Sequence, residues 1–156
     1  MKRLLPFIAI LFFLNCFGQD EKKLALVIGN SNYDKGELKN PINDATLIAE
    51  TLDSIGFEVL FHNNLEKRRD FLSAINEFGD KISEYDVSFV YYAGHGVQVN
   101  NENYLLPTKE IYETETDVED YGVSMQRILK YIELKNKNKI NIVVIDACRD
   151  NPFEKS

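Results

Sequence analysis

The chain of 156 residues has no tryptophan and only two cysteines, so two residue types that often anchor small exported domains are nearly missing. Two cysteines cannot build a disulfide framework here, because Cys16 lies in a leading apolar segment. Cys148 is left without an intramolecular partner. It is therefore either a free, reactive thiol or a small buried hydrophobic residue, and its surroundings have to decide between the two.

Long apolar runs are also scarce, and the longest one stands at the start of the chain. LLPFIAILFFL follows Lys2 and Arg3, and small residues at 16 and 18 precede Gln19. A basic start, a short apolar run and small residues before a cut are typical of a secretory signal peptide, and the run is short for a membrane span. We expect a signal peptide at 1–18, with a retained anchor or a lipid-modified Cys16 as alternatives.

Cleavage there would leave 138 residues, which predicts a short linker at 19–23 and one domain at 24–156. The mature protein would be exported, periplasmic or extracellular, with no stable membrane span.

The chain also has fewer positively charged than negatively charged residues. Without the leading segment, 16 basic residues face 25 acidic ones, a net charge of −9. This balance argues against nucleic acid and anionic lipid surfaces as partners and suits a basic substrate, although ordinary solubility also explains it. A glycine-rich phosphate turn is missing as well: the first predicted strand runs into VIGNSNYDKG, which disfavours a Rossmann nucleotide binder.

Four apolar or β-rich runs predict strands at 24–30, 57–63, 87–94 and 140–147. The last two are near-continuous apolar runs, which predicts strands covered on both faces. Apolar residues at helical spacing lie between them, with Asn43 as a candidate cap of the first helix and Ser124 of the last. Alternating strands and helices predict an α/β fold with a mostly parallel four-stranded sheet flanked by helices.

The long connection at 100–122 shows little regular pattern and holds six acids and no base between 110 and 120. We interpret it as a solvated surface loop, with a flap or a weak calcium site as the sharper alternative. No other cofactor is indicated.

The predicted third and fourth strands both run into residues that carry chemistry. His95 follows one strand within Gly94-His95-Gly96, and Cys148 follows the other. Ligands bind outside the carboxyl ends of parallel strands, and neighbouring strands lie about 4.8 Å apart. If these strands are neighbours, the imidazole and the thiol emerge side by side, as a thiol nucleophile and its base require. Gly94 would let the chain turn out of the strand.

Three further residues, Gly96, Asp146 and Asp44, are candidate site residues at the same end of the sheet. The N–H groups of Gly96 and Cys148 can face a developing oxyanion. Asp146, two residues before the cysteine, shares its face, and Asp44 opens the helix after the first strand. Asp44 alone is equally consistent with helix capping or with complementing the helix dipole. Together the two carboxylates would form a pocket for arginine or lysine, since paired carboxylates bind guanidinium in fixed geometry.

With these residues in place, the chain resembles the caspase-like cysteine peptidases, the group of caspases, metacaspases and bacterial orthocaspases. The motifs are LALVIGNSNY, LKNPINDATLIAETLDSIGFEV, VYYAGHGVQVNNENYLLP and IVVIDACRDNPF, which run through residues 24–153. The caspase signature Q-A-C-[RQG]-G has its histidine about 50 residues upstream. Here DACRD keeps Ala-Cys-Arg, and His95 precedes Cys148 by 53 positions.

The resemblance implies a cysteine endopeptidase. His95 would be the general base, Cys148 the nucleophile, and the N–H groups of Gly96 and Cys148 the oxyanion hole. Asp44 and Asp146 match the acidic first-specificity pocket of metacaspase-like enzymes, which implies cleavage of protein or peptide substrates after arginine or lysine.

The same resemblance implies two further strands beyond the cysteine strand, whereas this sequence ends eight residues after Cys148. The domain is therefore expected to be incomplete at its C-terminus, as a gene fragment, a split enzyme or a partial subunit awaiting a complementing C-terminal subunit. A catalytically inactive or partial caspase-like module that acts in binding is the alternative function.

Overall fold

The structure is a computed structural model that describes residues 21–137 and 139–147. The predicted signal peptide and Cys148 lie outside the described residues. In chain order the elements are β1 (Lys23–Gly29), α1 (Pro41–Ser54), β2 (Phe57–Asn63), α2 (Arg68–Lys81), a 3₁₀ turn (Ile82–Glu84), β3 (Val87–Ala93), β4 (Gly96–Val99), β5 (Glu102–Leu105), α3 (Glu115–Tyr121), β6 (Val123–Ser124), α4 (Met125–Lys135) and β7 (Ile140–Asp146).

The four predicted strands form one parallel sheet in the order β2-β1-β3-β7. Side chains of β1 and β3 are buried on both faces of this sheet, as expected from their unbroken apolar runs. Helix α1 packs on one face, where Ala45 and Leu52 contact residues such as Val27. Helices α2 and α4 cover the other face through residues such as Phe71 and Ile128. The expected α/β fold is confirmed.

The first residues of helices α4 and α1 are determined by the residue types at their N-termini rather than by the spacing of apolar residues. Helix α4 begins where Ser124 was predicted to cap it, and the Ser124 Oγ accepts a hydrogen bond from the N–H of Arg127 at 3.2 Å. Helix α1 begins earlier than Asn43: Asn40 is its N-cap residue and Pro41 its first residue. Proline suits a first helical position because its missing N–H has no partner there in any case.

The interpretation of 100–122 as a loop without regular structure is wrong in part. The segment contains β5 and α3, and β4, β5 and β6 form a second, antiparallel sheet. Asn100 and Asn101 adopt positive φ values of 49° and 65° at the β4–β5 turn, a conformation that asparagine tolerates. Elements of two to seven residues are too short to show a periodicity, which is why the sequence pattern missed them.

Strand β7 pairs only with β3 among the described residues, so it forms one edge of the main sheet. Its side chains on the α1 face are exposed, at 56% for Ile140, 41% for Ile142 and 40% for Val144, because α1 packs against β1, β2 and β3 instead. Within the described ranges, no helix combines the length and apolar character that a membrane crossing requires.

Candidate active site

An open cleft of about 390 Å³ lies at the carboxyl ends of β3 and β7, beside the start of α1. Ligands bind at this end of parallel sheets, so the position is the expected one. The cleft brings three of the predicted site residues together: His95, Asp44 and Asp146. The remaining lining residues are Leu38, Asn40, Pro41, Ala93, Gly94 and Ala147.

The imidazole of His95 is held from one side by a backbone carbonyl. Its Nε2 lies 2.6 Å from the carbonyl oxygen of Gly36, and its ring centroid lies 4.4 Å from that of Tyr33. A carbonyl oxygen can only accept, so Nε2 carries the hydrogen of the neutral ring and Nδ1 is left as the acceptor. The ring is thus prepared to take a proton at Nδ1.

Gly36 is a candidate site residue that the sequence analysis missed, because it contacts the His95 ring. It has φ +78°, a conformation open mainly to glycine, and a Cβ there would lie 3.1 Å from His95 Nε2. The turn-like SNYDKG segment was the available signal. Asp34 in the same loop forms an ion pair with Lys109 at 2.6 Å, which ties the loop to the segment after β5.

The chain bends at Gly94 as it leaves β3, as expected. Its φ of 159° is close to extended backbone, and a Cβ at this position would lie 2.6 Å from the hydroxyl of Tyr92 and 2.7 Å from that of Tyr33. Glycine is therefore favoured here by the close approach of two phenols as well as by the bend.

The two predicted pocket carboxylates both line the cleft. Asp44 makes no side-chain cap, but it lies in the first turn of α1, where a negative charge complements the helix dipole; Asp146 ends β7. Both side chains are exposed. The pKa of the buried Tyr91 phenol is raised first by its burial and then by the negative charges of Asp146 and Asp44. Both charges therefore act on the same phenol, and the potential there is negative.

The register of β3 and β7 aligns the two strand ends. Ala93 is paired with Asp146, and the N–H of Gly94 donates to the backbone oxygen of Asp146 at 3.2 Å. Gly96 is the first residue of β4 and is buried. Gly96 and Ala147 also line a second, smaller depression of about 70 Å³, which lies on the α4 side of the sheet.

A calcium site finds no further support in the acidic segment. Residues 21–137 and 139–147 contain no group of three or more histidine, cysteine or acidic side chains arranged to hold a metal ion. Several of the acids are already paired: Glu110 forms an ion pair with Lys67, and Asp117 takes part in the capping box of α3 with Thr114.

The structure combines a parallel α/β sheet with a histidine in the cleft at the carboxyl ends of its strands. These two features indicate the class of protein. A family model for the caspase domain matches residues 22–156, and the chain belongs to this caspase-domain peptidase family. Among curated proteins it is similar to mucosa-associated lymphoid tissue lymphoma translocation protein 1 of Homo sapiens, with 28% identity over 130 residues. The Mus musculus homologue is equally similar, at 28% identity over 130 residues.

These matches cover 81% of this chain but only 15% of either relative. The chain thus spans about one seventh of the length of the curated relatives it matches. The match to the caspase domain supports the caspase-like fold.

Proposed function

We propose that the protein is a cysteine endopeptidase in which His95 activates Cys148. The observation that carries the proposal is the pairing of β3 with β7 at Ala93 and Asp146. His95 and Cys148 each come two residues after this pair in the sequence. The residue before the cysteine, Ala147, lines the same cleft as His95.

The geometry of His95 supports a definite sequence of proton transfers. Nδ1 accepts the proton of the Cys148 thiol while Gly36 holds Nε2, and the thiolate attacks the scissile carbonyl carbon. The N–H groups of Gly96 and Cys148 stabilise the oxyanion that forms. The imidazolium then donates its proton to the leaving amine, which breaks the C–N bond and leaves a thioester. Water, deprotonated by the same imidazole, hydrolyses the thioester and restores the thiol.

Arginine or lysine is the proposed residue on the acyl side of the cleaved bond. Asp44 and Asp146 place two negative charges in the cleft beside His95, and among the described residues no basic side chain lines it. A guanidinium can bind one carboxylate through two parallel hydrogen bonds and still contact the second, whereas an aspartate side chain would be repelled.

A second candidate function is a partial caspase-like module that becomes complete with a C-terminal subunit. The exposed apolar face of β7 favours it, and so does its outer edge, which pairs with no other strand among residues 21–137 and 139–147, because an edge strand with exposed Ile142 and Val144 is a template for strand addition. In this case the cleft would bind peptide weakly by itself and would gain activity when further strands extend the sheet.

We also propose that the protein works outside the cytoplasm. The support is the sequence of the leading segment alone: a basic start, eleven apolar residues, and small residues before Gln19. Amino-terminal sequencing of the protein secreted by its own cells would test this, with Gln19 expected as the first residue and Met1 contradicting it.

An active-site probe tests the main proposal. The chain is treated with a peptidyl-arginyl chloromethylketone, next to Cys148→Ala, His95→Ala and the matched control His62→Ala, which alters the other histidine of the chain. Labelling is expected in the wild type and the control and should disappear with Cys148→Ala. Equal labelling in the wild type and His95→Ala would show that the histidine activates nothing.

The same probe distinguishes the second candidate function, the partial module, from the main proposal. A folded wild-type chain that remains unlabelled until it is mixed with a segment able to pair with β7 would favour the partial module. Labelling of the chain by itself at full rate would exclude that requirement.

A further inference from the structure

Two phenol hydroxyls form hydrogen bonds with the backbone N–H and the backbone carbonyl oxygen of His95. The N–H of His95 donates to the Tyr33 hydroxyl at 2.9 Å, and the Tyr92 hydroxyl donates to the His95 carbonyl oxygen at 2.7 Å. The two hydroxyl oxygens lie 3.2 Å apart. Tyr33 comes from the loop after β1 and Tyr92 from β3, so the contacts join His95 to two separate segments of the chain.

The hydrogens of this network can be assigned without conflict. Each phenol has one hydrogen to donate. That of Tyr92 goes to His95, its nearer acceptor, and that of Tyr33 goes to the carbonyl oxygen of Leu106 at 3.1 Å. Burial raises the pKa of both phenols, which therefore keep their hydrogens at neutral pH. The Tyr33 ring also packs against the imidazole, with centroids 4.4 Å apart and planes inclined by 56°.

We propose that Tyr33 and Tyr92 form a clamp that positions His95 for proton transfer, and that Gly94 is glycine because the clamp needs its space. The inference rests on the proposed peptidase function and adds two positioning residues to it. The backbone of His95 is fixed by the two hydroxyls. Its ring is fixed by the Tyr33 face on one side and by the Gly36 carbonyl at Nε2, which leaves Nδ1 directed away from that carbonyl.

The two tyrosines are not equivalent. The His95 carbonyl also accepts from the N–H of Leu106 at 3.0 Å, so it keeps one partner when the Tyr92 hydroxyl is removed. The Tyr33 hydroxyl is the one recorded partner of the His95 N–H among the described residues. Tyr33→Phe should therefore have the larger effect on the position of the ring.

The test compares Tyr33→Phe and Tyr92→Phe with Tyr85→Phe. Each change removes a single oxygen atom and keeps the ring. Tyr85 is the matched control because it precedes the opposite end of β3 and its hydroxyl donates to Glu58 at 2.5 Å. Thermal unfolding of each variant confirms that it is folded at the assay temperature.

The first measurement is kcat and KM on an arginyl peptide. We expect Tyr33→Phe to lower kcat about tenfold or more and Tyr92→Phe about threefold, with KM within about twofold of the wild type, because misplacing a catalytic group slows chemistry more than binding. Tyr85→Phe should keep the wild-type kcat. An unchanged kcat in folded Tyr33→Phe would overturn the proposal.

The second measurement does not need activity. In the Cys148→Ala background, ¹⁵N NMR of the imidazoles has only two histidines to resolve, and His62→Gln assigns them. We expect hydrogen on Nε2 of His95, and a mixture of tautomers after Tyr33→Phe. A His95 spectrum that is the same in Tyr33→Phe and Tyr85→Phe would overturn the clamp. If the wild type cleaves no arginyl peptide while Tyr33→Phe still shifts the spectrum, the clamp stands and the peptidase proposal fails.

Discussion

Replacing Asp44 and Asp146 by asparagine, singly and together, removes the negative charge of the cleft and leaves its shape almost unchanged. The proposed pocket then loses its attraction for a guanidinium. Asp53→Asn is the matched control: it is exposed on the same helix as Asp44, nine residues further along, or about 14 Å at 1.5 Å per residue.

The solvent exposure of both carboxylates determines how much free energy each substitution should remove. Two unit charges 4 Å apart interact by about 1 kcal/mol in bulk water and by about 4 kcal/mol near a protein surface, and a hydrogen bond to a charged group contributes about 1.5–3 kcal/mol. For exposed side chains we take about 1–2 kcal/mol for each carboxylate. This corresponds to a fall in kcat/KM of about 5-fold to 30-fold in each single variant.

The assay compares two peptide substrates that differ only in charge, one with arginine and one with citrulline before the cleaved bond. The wild type should prefer arginine, the single variants should prefer it less, and the ratio should approach one in the double variant. Because both carboxylates would contact one guanidinium in the proposed pocket, the two substitutions should not be additive. The reasoning is refuted if the wild type cleaves both peptides equally, or if the double variant keeps the preference of Asp53→Asn.

The remaining predictions concern the surroundings of the site and the stability of the fold. Gly94→Ala should cost about 1–3 kcal/mol of unfolding free energy by calorimetry, because its Cβ would lie 2.6–2.7 Å from two hydroxyls; an unchanged Tm would contradict the close approach. Asn30→Ala should cost about 2–4 kcal/mol, because this fully buried side chain bridges one backbone carbonyl and one backbone N–H; a loss below about 0.5 kcal/mol in urea titration would contradict it. Hydrogen bonds from Lys81, and then from Tyr85, lower the pKa of Glu58, so its carboxylate adds stability above its usual value of 4.5 that is lost as the pH falls below it. Glu58→Gln should therefore lower the Tm only slightly at pH 7, because its partners are exposed, and the difference from the wild type should vanish toward pH 3; a difference that grows in acid would be the wrong sign.

Much of the main sheet could be predicted from residue pattern alone. The run 87–93 is apolar without alternation, and such runs belong to strands covered on both faces in a parallel sheet. The run 140–146 has the same pattern and forms a strand, but the expected cover on both faces is not met for β7, because its side chains on the α1 face are exposed among the described residues. The cap of α4 at Ser124 followed from the chemistry of one side chain. These features depend on neighbours in the chain, which the sequence displays directly.

The small antiparallel sheet and the start of α1 were harder to predict from the sequence. β6 has only two residues, and its pairing with β5 is decided by packing between segments far apart in the chain. Asn43 has the right chemistry for a cap, but Pro41 already adopts the φ of a first helical residue and starts the helix earlier.

The sequence by itself determined the residue types and their order after the predicted strands: a histidine between glycines, a cysteine 53 positions later, and an aspartate two residues before it. Only the tertiary structure decided what surrounds the histidine. Tyr33 and Gly36 are about 60 residues from His95 in the chain, and nothing in their local pattern marks them as its partners. They reach it because β1 and β3 are neighbours in the sheet, so the loop after β1 folds back over the end of β3. Contacts between loops of neighbouring strands depend on strand order, and strand order is a property of the whole packed sheet.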